Sequence, residues 1–156
     1  MVVMPSRAVM PTRAVVARRA VVPSRLGAPA LRLLAAARSA LREADRAESP
    51  AERFATAHLA GLRAAAAVLA DRARPNDART RRPTSAWVLL TSVAPELGEW
   101  AAYFAAGADK RAAALAGLRT AVTAREADDL LRDAHTFLAL VETTLGLLPD
   151  TTARAG

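Results

Sequence analysis

Apolar residues recur at three- and four-residue intervals from about Ala28 onward. Leu31, Leu34, Ala35 and Leu41 share one stripe with the stem of Arg38, which predicts a first helix to about Ala47. Ser49-Pro50-Ala51-Glu52 then places a capping serine, a proline at the first helical position and a glutamate at the third. That is the arrangement of a capping box, and it predicts a helix start. The helix it opens should run to about Arg72, with Phe54, His58, Leu62, Ala65 and Leu69 along one side. Gly61 interrupts it at a cost of up to about 1 kcal/mol against alanine. The close approach of a neighbouring helix is the ordinary reason to keep a glycine there.

Residues 74–83 have proline at both ends and no period, so they predict a loop. Thr84 and Ser85 can cap a short helix through Trp87, Leu90 and Val93; Pro95 restarts it, and Leu97, Trp100, Ala101 and Phe104 carry it to Gly107. A further short helix over 109–116 ends at Gly117. A second capping box, Thr123-Ala124-Arg125-Glu126, opens the last helix, whose stripe is Ala127, Leu131, Ala134, Leu138, Val141 and Leu145. Gly146 and Pro149 stop it. No segment alternates as a strand does, and the predicted fold class is all-α.

The first 27 residues follow another rule. In blocks of six from Pro5 they read PSRAVM, PTRAVV, ARRAVV, PSRLGA. A period of six fits neither helix nor strand, and the prolines would break a helix. With one leucine and no aromatic residue the tract has little to bury, and it is expected to be a disordered basic extension, outside a helical domain at 28–148 and a short tail at 149–156. Arginine interrupts its valines every few residues, so it does not read as a secretory signal, and a cytoplasmic location is expected. A nucleic-acid or membrane-surface tail, a tail without a specific role and an over-called start codon remain open.

Composition narrows the chemistry. The chain has 156 residues, no cysteine, two histidines, and 53% hydrophobic residues of which alanine is the largest share. Disulfides, thiol nucleophiles and cysteine-ligated zinc are excluded, and no Gly-rich phosphate loop is present. No metal and no cofactor is expected. No apolar run is long enough to span a bilayer, so no membrane partner is expected. The formal charge is +7, yet residues 1–30 carry five arginines and no acid, whereas 31–156 hold 17 basic and 15 acidic side chains. The strongly basic character therefore belongs mostly to the extension. So much alanine lets helix axes approach closely but buries little area per residue. The aromatic residues and leucines must supply most of the drive, at roughly 25 cal/mol per Å². A bundle of this kind can leave an apolar stripe that a second copy covers.

The order of pieces resembles the actinobacterial branch of the HEPN-domain proteins (higher eukaryotes and prokaryotes nucleotide-binding). The carrying stretches are AERFATAHLAGLRAAAAVLA at 51–70, SAWVLLTSVAPELGEWAAYFAAGADKRAAALAG at 85–117 and AVTAREADDLLRDAHTFLALVE at 121–142, with an Arg-rich linker at 74–83. The resemblance spans roughly 30–148 and implies a bundle of four or five helices that often forms a homodimer. It also implies a possible endoribonuclease that needs no metal. Such enzymes carry an arginine and a histidine with four to six residues between them, in copies that meet across the dimer interface, and here Arg53 and His58, with four residues between, fit that spacing as catalytic candidates. A histidine can move the proton of a ribose hydroxyl, and an arginine can stabilise the charged transition state.

Against that stand three points. Arginine is so frequent that about one chance match is expected. The two positions lie about 140° apart around a helix. The motif of active relatives lies on a late helix, where this chain offers Arg132 and His135 at a spacing of three. His58 therefore reads first as a packed histidine, and His135 as a surface one beside Asp133.

For nucleic acid, Arg72, Arg74, Arg79, Arg81 and Arg82 form the better binding candidate, five guanidiniums opposed by Asp71 and Asp77. Glu126, Asp128, Asp129 and Asp133 suit the positive start of a helix more than a cation. The same acids would repel DNA phosphates if 123–131 were a recognition helix. The expected function is an RNA-associated or regulatory interaction module without proven catalysis. The alternatives are the Arg53/His58 ribonuclease and a protein-binding helical adaptor.

Overall fold

The computed structural model describes residues 26–72 and 85–147. The hexad extension, Arg74, Arg79, Arg81, Arg82 and the C-terminal tail lie outside the described residues. The α-helices are α1 (Ala28–Arg46), α2 (Pro50–Arg72), α3 (Ala86–Val93), α4 (Gly98–Ala106), α5 (Ala108–Leu115) and α6 (Ala124–Thr144), with 3₁₀ turns at Pro95–Leu97 and Arg119–Ala121. Counting α3 and α4 as one arm bent at Pro95 gives five helices. No strand occurs among the described residues.

Local chemistry sets most boundaries. The amide of Glu52 donates to Ser49 Oγ at 3.1 Å, which forms the first half of the expected capping box. At α6 both halves form: Glu126 N donates to Thr123 Oγ1 and Thr123 N donates to the Glu126 carboxylate. Ser85 caps α3 through the amide of Val88. Gly117 and Gly146 take the left-handed φ values of +88° and +84° that end α5 and α6.

The turn Ala47–Ser49 folds α1 back along α2. Arg53 near the start of α2 pairs with Asp128 near the start of α6, while Arg38 in α1 pairs with Glu142 near the end of α6. So α6 runs parallel to α2 and antiparallel to α1. Helix α2 is central and packs on α1, α6, α3 and α5. That position explains where the predicted stripes differ. On α2, Leu62 and Leu69 are only half-buried, and the core faces carry Ala57, Gly61, Ala64, Ala65 and Val68 instead. On α1 the buried line is Ala30, Leu34, Ala37, Leu41 and Ala44, whereas Leu31 faces solvent and Ala35 is exposed. Small residues win the closest helix–helix contacts because they let the axes approach.

All six aromatic residues join one cluster with His58. Phe104 is its hub: its ring stacks on Trp87 at a 5.0 Å centroid separation and meets Phe137 at 5.1 Å and His58 at 5.8 Å. Gly61 makes room for this hub. A Cβ there would lie 2.6 Å from Phe104 Cε1, so the close approach predicted at Gly61 is made by a ring.

Candidate functional site

His58 points inward from α2 and is 2% exposed. Its Nε2 lies 2.8 Å from the Phe104 carbonyl oxygen. A carbonyl can only accept, so Nε2 carries the proton and donates, leaving Nδ1 with a lone pair. Phe54 stacks on the ring, while Trp87 and Phe104 meet it edge-on. Burial pushes the pKa of His58 below the usual histidine value; the Phe104 hydrogen bond opposes that shift and the positive charge of Arg111 adds to it. His58 is thus a neutral core histidine.

Arg53 turns elsewhere. Its Nη2 donates at 2.7 Å to the carbonyl of Ala47, the residue that caps the end of α1, and its Nη1 donates to Asp128 at 2.7 Å. It clamps the end of α1 to the start of α6. Asp128 is 63% exposed, so the charge attraction is worth well under 1 kcal/mol after screening, and the carbonyl contact adds geometric definition. The two motif residues share a helix and no partner, as the 140° between them leads one to expect.

The other candidates are accounted for in similar terms. Arg72 pairs with Glu96. His135 lies 3.4 Å from Asp45 on α1, a partner its neighbouring sequence does not indicate. Within the acidic group, Glu126 is bound to Lys110, Asp129 to Arg132 at 3.2 Å, and Asp133 to the Tyr103 hydroxyl. The Lys110 contact holds the Glu126 carboxyl down at about 2, helped by the amide of Thr123. Among the described residues no cluster of three histidines or carboxylates is placed to hold a metal ion.

Two features escaped the sequence. Arg111 in α5 acts on His58 from a different helix, and nothing in its local sequence marks it. A groove of about 340 Å³ runs between the first turns of α2 and the end of α5, lined by Ser49, Glu52, Thr56, Leu115 and Arg119. Leu115 at its lip is 63% exposed and nearby Leu118 is 58% exposed. No helix among the described residues is long and apolar enough to cross a membrane.

A neutral, aromatic-lined histidine at the centre of the bundle, with its motif arginine used as a corner clamp, makes this an all-α helical module. The chain matches the family model for HEPN_SAV_6107-like HEPN over residues 44–142, and it belongs to that family. The match opens at the last turn of α1 and takes in the whole of α2 through α5 and nearly all of α6. No curated protein and no solved structure matches the chain.

Proposed function

We propose that this HEPN module associates with RNA through basic segments flanking the bundle and does not cleave it. The observation that carries the second half is the sealing of His58: a buried imidazole whose Nε2–H is engaged by Phe104 is poorly placed to reach a ribose hydroxyl. Arg53, bound at Ala47 and Asp128, is equally poorly placed to meet a phosphate.

The first half is supported by how charge is divided. The described residues hold twelve basic and thirteen acidic side chains, so the positive excess lies in residues 1–25, with five arginines and no acid, and 73–84, with four arginines and one acid. Both segments join the bundle at one end, because α1 begins where its antiparallel partner α2 finishes. A polyanion would meet these arms, not the nearly neutral body.

The test combines two assays on the full chain. A labelled RNA pool in EDTA should survive intact. Cleavage that Arg53→Gln and His58→Gln both abolish would refute the proposal and favour the ribonuclease. Binding measured across salt concentrations should weaken steeply, and the triple variant Arg79→Ala, Arg81→Ala, Arg82→Ala should flatten the slope by about 2. Salt-independent or absent RNA binding would favour the second reading, a protein-binding adaptor, for which the groove beside Leu115 is the supporting feature.

A further inference from the structure

Two buried side-chain nitrogens, His58 Nδ1 and Arg111 Nε, have no hydrogen-bond partner among the described residues. They come from different helices but from one junction. Gly107 sits against the histidine: a Cβ on it would lie 3.5 Å from His58 Cδ2 and 3.5 Å from Phe54 Cζ. Arg111 follows one turn later on the same side of the helix, its amide bonded to the Gly107 carbonyl at 2.9 Å. The guanidinium is close enough for its charge to act on the imidazole.

The chemistry of the two atoms is complementary. With Nε2–H committed to the Phe104 carbonyl, Nδ1 can only accept, and Arg111 Nε–H can only donate. An anion does not suit this pair, because the Nδ1 lone pair would repel it. A water suits it, accepting from Nε–H and donating to Nδ1. Leaving both atoms unbonded would cost roughly 1–3 kcal/mol each.

We propose that one buried water bridges Arg111 Nε–H and His58 Nδ1, fastening α5 to α2, and that protonation of His58 releases this latch. Once Nδ1 carries a proton it no longer accepts, and a buried imidazolium then lies within reach of the Arg111 charge. Among the described residues Arg111 is the one charged group that acts on His58. Helix α3 presents Trp87 to the ring, α4 presents Phe104 and α2 itself presents Phe54, none of which titrates here. The released element is α5, one wall of the groove that holds Leu115, so acid would loosen that wall before the three long helices.

The histidine nitrogens and the Arg111 Nε–H of the full chain can be followed by NMR. At neutral pH, His58 should be the Nε2–H tautomer with its Nδ1 resonance at the hydrogen-bonded position, and Arg111 Nε–H should show cross-relaxation to a long-lived water. Arg111→Met should move Nδ1 to the unbonded position. Arg111→Lys is the sharper control: it keeps the charge and fold but puts a methylene where Nε–H was. Trp87 reports protonation, since an imidazolium at its edge quenches its fluorescence. The midpoint of that acid quench should rise in Arg111→Lys and rise further in Arg111→Met. An unbonded Nδ1 in the wild type, no water signal, or a midpoint in Arg111→Lys equal to wild type would each overturn the latch.

Discussion

Replacing Gly61 by alanine sets two effects of opposite sign against each other. Helix propensity alone predicts a gain of about 1 kcal/mol, because glycine is the poorest non-proline former in a helix interior. The structure predicts a loss. The new methyl would meet one edge of the Phe104 ring at 2.6, 2.9 and 3.0 Å, where carbon atoms in contact ordinarily sit about 3.5–4.0 Å apart. The ring would have to retreat by nearly 1 Å. Behind it stand Trp87, stacked at 5.0 Å, and Phe137 at 5.1 Å, and Phe104 is fully buried. Overpacking of this kind costs about 1–3 kcal/mol, and the rigid surroundings of the ring put it toward the upper end, so after the propensity gain a net destabilisation of up to about 2 kcal/mol is expected. Urea unfolding followed by tryptophan fluorescence would show a lower midpoint at unchanged slope. The cause is checked by a cycle with Phe104→Leu, which empties the space the methyl needs. In that background Gly61→Ala should be neutral or stabilising, a coupling of at least about 1 kcal/mol. A stabilised Gly61→Ala single variant would refute the packing argument and leave propensity as the governing term.

Three further outcomes are expected. Thr123→Ala removes the reciprocal cap of α6 and should cost about 1 kcal/mol in the same unfolding assay. Glu126, with its folded pKa lowered to about 2, contributes stability that is complete above its unfolded value near 4.5 and is lost as pH falls toward 2; Lys110→Met should move this acid limb upward in a pH-stability profile. Tyr103 is held above the ordinary phenol value by burial and by its hydrogen bond to Asp133, so its contribution is complete below about pH 10 and lost as pH rises through the folded value. Its phenolate absorbance in an alkaline titration should therefore appear late, together with unfolding, and Tyr103→Phe should lower stability at neutral pH by about 1 kcal/mol.

Much of the backbone was legible because its signals are local. The capping residues Ser49, Ser85 and Thr123, the break at Pro95 and the terminating Gly117 and Gly146 act within a turn or two, and each marks its boundary within a residue or two. Stripe membership was less legible because it depends on how many neighbours a helix has. Helix α2 is covered on several sides, so a single periodic stripe through Leu62 and Leu69 misses the alanine faces that meet α1 and α6. The surroundings of His58 could not be read at all. Its partners Phe104 and Arg111 lie 46 and 53 residues away, brought beside it by the bend at Pro95 and the turn at Gly107. A six-residue motif specifies spacing along one helix, whereas a catalytic pair needs two side chains converging on one outside point. Here α2 sends Arg53 to a helix corner and His58 into the core.

The same separation applies to charge, with a consequence for how stability and binding should respond to mutation. The described bundle is held by aromatic packing, alanine-mediated helix contacts and a few ion pairs, and its side-chain charges nearly cancel. The excess positive charge resides in segments outside the described residues. Core variants should therefore shift unfolding midpoints without altering the salt dependence of RNA binding, provided the protein remains folded. Arginine variants in 74–82 should do the reverse, changing the salt slope while leaving the midpoint within about 0.5 kcal/mol. Each class of variant thus serves as the other's control. If Gly61→Ala, measured well below its unfolding midpoint, weakened RNA binding as much as the arginine triple variant, the RNA contact would have to lie on the bundle itself. The division between a neutral body and binding arms would then fail.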